Sequence, residues 1–309
     1  MIYPKKLQAG AVVGVVAPSS PVSEKRVREC CTVLKNMGFR SRCADNLSTS
    51  KGGYLAGDAR VRGEWINRMF ADSDIDAIFC IRGGDGSNQI MKYLDLDVIR
   101  ENKKIFVGYS DITNLHLVFN QQCDLVTFHG PMVSSNMVDR FDPESRVALY
   151  EALMAESEYL YHPPAGQPLK IARGGSAEGI LTGGNLTLLA TSIGTPYEAE
   201  LDGKILFIEE ISGHIGNMDR NIYQLRNAGK LKNVQGILLG QFTGCSQDAD
   251  DYGIVEVVAE ATADLNIPIL YNVQSGHGFP MITLPMGAKC QMNTKIPMIR
   301  FEVKREKDR

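Results

Sequence analysis

Lys104-Ile-Phe-Val-Gly-Tyr-Ser-Asp111 is the stretch on which the reading of this chain turns. Its first four residues form a short apolar strand, and a helix pattern begins at Asp111 with no loop between. That layout holds one hydroxyl, the Ser110 side chain, at the tip of a tight strand-to-helix turn. There the following backbone N–H groups and a helix N-terminus favour an oxyanion. Gly108 stands two positions before the serine, as in a nucleophile elbow, while Ile112 takes the place of the elbow's second glycine. A plainer reading, in which Ser110 or Asp111 only caps the helix, stays open on this fragment alone.

Working outward, the first half alternates strands and helices. Strands are expected at Val12–Ala17, Ile78–Ile81, Ile105–Val107 and Leu125–Phe128, and helices at Glu24–Met37, Ala59–Ala71, Gln89–Leu94, Ile112–Gln121 and Glu144–Ala155. Near-continuous apolar strands between helices indicate an α/β fold with a parallel sheet covered on both faces. Tyr161-His-Pro-Pro-Ala-Gly-Gln-Pro168 then breaks the pattern, so the expected division is a domain over 1–160, a linker over 161–168 and a domain over 169–309. In the second half, strands Lys204–Ile208, Ile237–Gly240 and Ile269–Val273 alternate with helices near Gly216–Ala228 and Val255–Ala263. Ile215, Met218, Ile222 and Leu225 give the first of these helices a buried stripe.

Composition narrows the function. The 309 residues are 44% hydrophobic and 22% charged, enough apolar mass for a sizeable core. A formal net charge of −3 gives no electrostatic case for nucleic acid or an anionic membrane. The seven cysteines form no C-x-x-C pair and no metal-ligand spacing, so reduced thiols in a cytoplasmic protein without a metal are expected. Ala11–Ala17 follows Lys5-Lys6, but Gly14 breaks it, and it reads as a first buried strand rather than a signal peptide.

A serine nucleophile needs a base, an orienting carboxylate and oxyanion donors. Among the five histidines, His116 falls on an apolar helix face and reads as packed core. His129 ends a strand and could line the same cleft, but its neighbours suggest a turn; His162 lies in the linker, and His214 approaches a helix and remains a competitor. His277, in Ser275-Gly-His-Gly-Phe-Pro280, follows a strand where a parallel sheet opens toward its ligand crevice; a surface turn is the alternative. Glu209 and Glu210 end an apolar strand, and side-chain alternation allows only one of them to face a cleft. Arg82-Gly-Gly-Asp-Gly-Ser87 also follows a strand. Its glycines expose N–H groups suited to an anion, with Gly83-Gly84 and Asp111 as possible oxyanion donors. Arg82 suits a substrate carboxylate, or else braces the loop.

Six segments then fall in order: Arg82–Ser87, Val107–Thr113, Thr127–Met132, Leu181–Leu186, Leu206–Glu210 and Gly276–Pro285. Together they resemble the LD-carboxypeptidases, also called muramoyltetrapeptide carboxypeptidases, from Gly10 to about Phe301. The resemblance implies a flavodoxin-like N-terminal domain, a smaller mixed α/β C-terminal domain and a homodimer. It implies a Ser-Glu-His peptidase in which Ser110 is the nucleophile, Glu209 rather than Glu210 the acid, and His277 the base. Gly84 and Asp111 carry over as backbone oxyanion donors, with Arg82 and Gly83 beside the substrate and no cofactor. The implied substrate is a murein tetrapeptide losing its terminal D-alanine in the cytoplasm. A sister branch cleaves the peptide-nucleotide antibiotic microcin C, and a non-catalytic ligand-binding module is a third reading. One departure is Asp85, where cell-wall members often carry Tyr, which puts the substrate contacts of that loop in doubt.

Overall fold

The computed structural model describes residues 1–246 and 252–305. Its first sheet contains five parallel strands: β1 (Val12–Val16), β2 (Arg40–Cys43), β3 (Ala77–Cys80), β4 (Ile105–Gly108) and β5 (Thr127–His129). They lie in the order 2-1-3-4-5, the flavodoxin-like arrangement. Helices α1 (Glu24–Asn36), α2 (Ala59–Ala71), α3 (Leu96–Glu101), α4 (Thr113–Cys123) and α5 (Pro143–Met154) complete this half. Strands β1, β3, β4 and β5 are buried along their whole length, which explains their apolar runs. The edge strand β2 reads Arg-Ser-Arg-Cys and is mostly exposed, so hydrophobicity gave no sign of it. In this order the chain reverses its direction of winding between β1 and β3. Ligands bind outside the carboxyl ends of the strands at such a point, and the Pro18–Pro21 and Ile81–Gly86 loops leave from there.

One expected element differs. In place of a helix over 89–94, tight 3₁₀ turns occupy Ser87–Gln89 and Met91–Tyr93, and α3 begins only at Leu96. Tertiary bonds hold this segment. The Arg62 guanidinium donates to Pro18 O, Gly86 O and Gln89 Oε1, and Ser87 Oγ donates to Asp111 O.

The rest of the chain supplies β6 (Glu158–Leu160), β7 (Lys170–Arg173), β8 (Ser176–Asn185), α6 (Leu186–Ser192), β9 (Lys204–Ile211) and α7 (Ile215–Asn227). After these come β10 (Gly236–Thr243), α8 (Ile254–Ala261), β11 (Ile269–Tyr271), β12 (Leu284–Met286), β13 (Lys289–Asn293) and β14 (Met298–Glu302). Eight of these strands form a second sheet in the order 6-14-13-8-9-10-11-7, with β8 to β11 parallel. Alternation along β9 divides its side chains between two cores. Ile205 and Phe207 join the apolar cluster of the first sheet, while Leu206 and Ile208 pack with Leu189, Met218, Ile222 and Val257 of α6, α7 and α8. Burial of Phe207 contributes about 1.5–3 kcal/mol, more than a typical exposed ion pair across the seam would.

The sheets exchange strands across the expected domain limits. β6, which ends before residue 161, pairs with β14, whereas β12 pairs antiparallel with β5 at Leu284↔His129. Residues 272–283 therefore cross from β11 in the second sheet to β12 in the first. Among the described residues no helix is long and apolar enough to cross a membrane.

Candidate active site

Ser110 lies beyond β4 in the left-handed region, φ +65°, at the start of a 3₁₀ turn that leads into α4. A non-glycine residue in that region costs energy and persists only when its surroundings hold it. Asp111 does much of the holding: its buried Oδ2 accepts from Ser19 Oγ at 2.6 Å and from Ser87 N at 2.8 Å. Burial raises the Asp111 carboxyl above its ordinary range, and those two hydrogen bonds act against the rise. The Asp111 side chain thus ties the elbow to the loops after β1 and β3.

The loop after β3 runs directly beside the serine. A side chain on Gly83 would begin 3.1 Å from Ser110 Oγ, and one on Gly84 (φ +122°) would begin 2.0 Å from Ser20 Oγ. At Gly84 only glycine lets this backbone approach, whereas a side chain on Gly83 would force Ser110 to give way by a few tenths of an ångström. The Gly84 N–H donates to no backbone partner among the described residues. Arg82 is exposed and forms no ion pair among them, and Asp85 is exposed as well.

His277 sits on the segment that crosses between the sheets. Its Nδ1 lies 2.7 Å from Glu209 Oε2, and Glu209 is fully buried. Burial raises the Glu209 carboxyl; the His277 hydrogen bond and the nearby Asn185 amide oppose that shift. The Tyr109 ring stands edge-on to the His277 ring with centroids 4.8 Å apart, so the residue before Ser110 packs directly on the imidazole. Burial pushes the Tyr109 phenol up to about 12, against the influence of Asn136 and Arg82. The imidazole backbone is held by Gln241, which accepts from Gly278 N at 2.7 Å and donates to Pro280 O at 3.0 Å. Ser110 Oγ and His277 make no hydrogen bond among the described residues; such contacts often tighten only with substrate in place.

Glu210 turns the other way. It accepts from Asn185 Nδ2, Thr187 N, Thr187 Oγ1 and Ile211 N, at 2.6 to 3.0 Å, and so anchors the start of α6. The remaining histidines part from this constellation. His116 is buried with Nδ1 on Thr127 Oγ1 and Nε2 on Gly108 O, and burial pushes its pKa down to about 4. His214 caps α7, accepting from Gly216 N at 3.2 Å. His162 lines a cavity of about 410 Å³ against α5. His129 is strand rather than turn, and wholly buried.

The structure therefore joins Glu209 to His277 and brings Ser110, Gly83 and Gly84 side by side, with Tyr109 linking the two groups. Sequence reasoning missed Tyr109, Ser19, Arg62, Asn185 and Gln241. The Ser-Ser pair after the first strand was a usable signal for Ser19; the others act through contacts between distant segments. Chemically, a strained serine beside a glycine loop whose Gly84 N–H has no backbone partner, near a carboxylate-bound imidazole, suits acyl transfer. Among the described residues no cluster of three or more His, Cys, Asp or Glu side chains is arranged to hold a metal.

Known proteins share this plan. Residues 13–130 match the LD-carboxypeptidase N-terminal domain and residues 178–292 the LD-carboxypeptidase C-terminal domain. A probable murein peptide carboxypeptidase of Bacillus subtilis (strain 168) is 38% identical over 94% of this chain and 91% of its own. Among solved structures, the microcin C7 self-immunity protein MccF, an inactive mutant in the apo state, aligns with a TM-score of 0.91 at 25% identity, covering 99% of this chain and 100% of that one. A muramoyltetrapeptide carboxypeptidase from Oxalobacter formigenes aligns with a TM-score of 0.83 at 24% identity, covering 96% and 100%. With both domains matched in order and a relative at this identity over nearly its full length, the chain belongs to the LD-carboxypeptidase family and is a serine carboxypeptidase.

Proposed function

We propose that the protein removes the terminal D-alanine from murein tetrapeptides, with Ser110, His277 and Glu209 as its triad. The observation that carries this reading is the 2.7 Å bond from His277 to buried Glu209, beside the Ser110 elbow. His277 Nε2 takes the Ser110 proton as Oγ attacks the carbonyl of the L-centre, and Glu209 stabilises the resulting imidazolium. The backbone N–H groups of Gly84 and Asp111 receive the oxyanion. The imidazolium then protonates the departing D-alanine amine, and water, deprotonated by His277, releases the acyl group from Ser110. Arg82 offers an exposed guanidinium to the carboxylate of the leaving residue, next to the backbone of Gly83. The reading includes peptide recycling in the cytoplasm, in keeping with seven free cysteines, and a homodimer.

The overall likeness to the MccF protein keeps an amidase acting on aminoacyl-nucleotides as the second reading. Against it, members of that branch tend to carry an aromatic residue for the adenine, whereas the one tryptophan here, Trp65, lies on α2 with the Arg68 guanidinium over its ring. Incubation with a defined murein tetrapeptide and, in parallel, with an aminoacyl sulfamoyl adenosine separates the two. Free D-alanine in the first reaction alone is the expected result, and cleavage of the nucleotide alone would reverse the assignment.

A further inference from the structure

His129 and His116 are both fully buried, yet they are treated differently. His116 engages a partner with each ring nitrogen, whereas neither nitrogen of His129 has a hydrogen-bond partner. Packing does not require those nitrogens. The His129 ring meets Phe207 at 5.1 Å, Tyr109 at 5.8 Å and His116 at 6.3 Å between centroids, contacts that a phenyl ring would also make. Its backbone is fixed by register with Gly108 on one side and Leu284 on the other. A buried unpaired polar group costs about 1–3 kcal/mol, and exchanging it for an apolar group of the same shape can be neutral or stabilising.

The bare nitrogens do not stand alone. Glu209 Oε1, Ser275 Oγ and Thr283 Oγ1 are likewise buried without a partner. Together with His129 they account for all the unpartnered buried side-chain polar atoms among the described residues except Tyr3 Oη and Asn46 Oδ1. Each belongs to the Glu209–His277 pair, to the segment that carries His277, or to the strand beside the elbow. Thr283 Oγ1 lies against Gly130, 2.9 Å from where a side chain there would begin. Proteins satisfy nearly all such groups, so their concentration in one seam marks a functional demand.

We infer that His129 is a positioning residue, whose unpaired nitrogens keep the seam behind Tyr109 polar in favour of the protonated state that His277 passes through. The inference rests on the proposed triad. Once His277 carries the serine proton, a cation stands one aromatic ring away, where the low dielectric strengthens its attraction to fixed dipoles. His129 must stay neutral for this, and burial, with His116 and His277 beside it, holds its pKa well below the ordinary histidine value. The groups facing His277 are Glu209 from β9, Tyr109 from the end of β4 and His129 from β5, with Arg82 beyond Tyr109. Those facing His129 are His116 from α4, Tyr109 and His277 itself.

The test compares His129→Phe and His129→Asn with the wild-type chain. It measures D-alanine release from a murein tetrapeptide, thermal unfolding, and the rate at which a fluorophosphonate labels Ser110. Expected for H129F is an unchanged or higher melting temperature, a kcat lowered about tenfold or more, KM within about twofold, and slowed labelling. H129N, which keeps a polar atom but loses the ring, melts earlier yet retains more kcat than H129F. An H129F protein as active and as quickly labelled as wild type overturns the inference. So does one that loses stability and activity together while H129N is no more active. Should H129F not fold, H129N decides: kcat within about tenfold of wild type sustains the role and a larger loss ends it. A wild-type chain that neither releases D-alanine nor takes the probe refutes Ser110 as nucleophile, a separate failure.

Discussion

Glu209 and Glu210 are adjacent on one strand and identical in chemistry, yet they meet opposite faces of the second sheet. Glu210 is surrounded by four donors that are fixed in place and helps to start α6. Glu209 has a single close partner, the imidazole of His277, on a segment strung between two sheets. A carboxylate saturated by backbone and amide donors is a structural element. One whose main partner can gain and lose a proton is available for chemistry, and the alternation of the strand assigns the two roles.

The largest expected effects test the Glu209 side of this contrast. Ser110→Ala should lower kcat by about 10⁴-fold or more while circular dichroism and melting stay near wild type. A variant that keeps most of its D-alanine release would show that the elbow hydroxyl is not the nucleophile. Glu209→Gln should cost about 10⁴-fold in kcat with a small change in KM, because the amide presents the wrong hydrogen-bond pattern to His277 Nδ1. If steady-state kinetics give a loss of under about tenfold, orientation of the imidazole does not depend on this carboxylate.

Glu210→Gln sharpens the comparison from the other face. Its amide nitrogen would confront donors, so chemical denaturation should show roughly 2–4 kcal/mol of lost stability. The kcat of the folded fraction should fall far less than in Glu209→Gln; equal losses in both variants would erase the distinction. The smallest effect concerns Asp111, whose folded pKa is raised. Its native state keeps a proton longer than the unfolded chain, so its contribution to stability declines as pH climbs from the ordinary carboxylate value of about 3.9 through the raised one. Asp111→Asn should therefore compare best with wild type at neutral pH, and its relative stability should fall as pH drops through the raised value and level off below about pH 4. Melting curves taken from pH 3 to pH 7 check the sign, and an advantage that grows toward acid would contradict it.

The first sheet was legible because β1, β3, β4 and β5 are buried on both faces and so read as apolar runs. β2 escaped because an edge strand has no such requirement, and β8 because its first half alternates between exposed and half-buried positions. Within the site, Glu209 could be named only through resemblance, since local sequence treats it and Glu210 alike. Tyr109 sat in plain view beside Ser110, but its contact with His277 depends on a crossing 168 residues further along. The His129 nitrogens pose the same difficulty in reverse: nothing in Thr127-Phe-His-Gly130 says that its imidazole will find no partner.

The passage of residues 272–283 from β11 to β12 also bears on biosynthesis. Until Leu284–Met286 has left the ribosome and docked on β5, the imidazole-bearing crossing lacks the strand pairing that ties its far end to the first sheet. On the proposed triad, a growing chain that already displays the serine elbow would gain its fully anchored base only late in translation. Fragments ending before residue 284 should hydrolyse no tetrapeptide, and an active one would show that the base can be held from the second sheet alone.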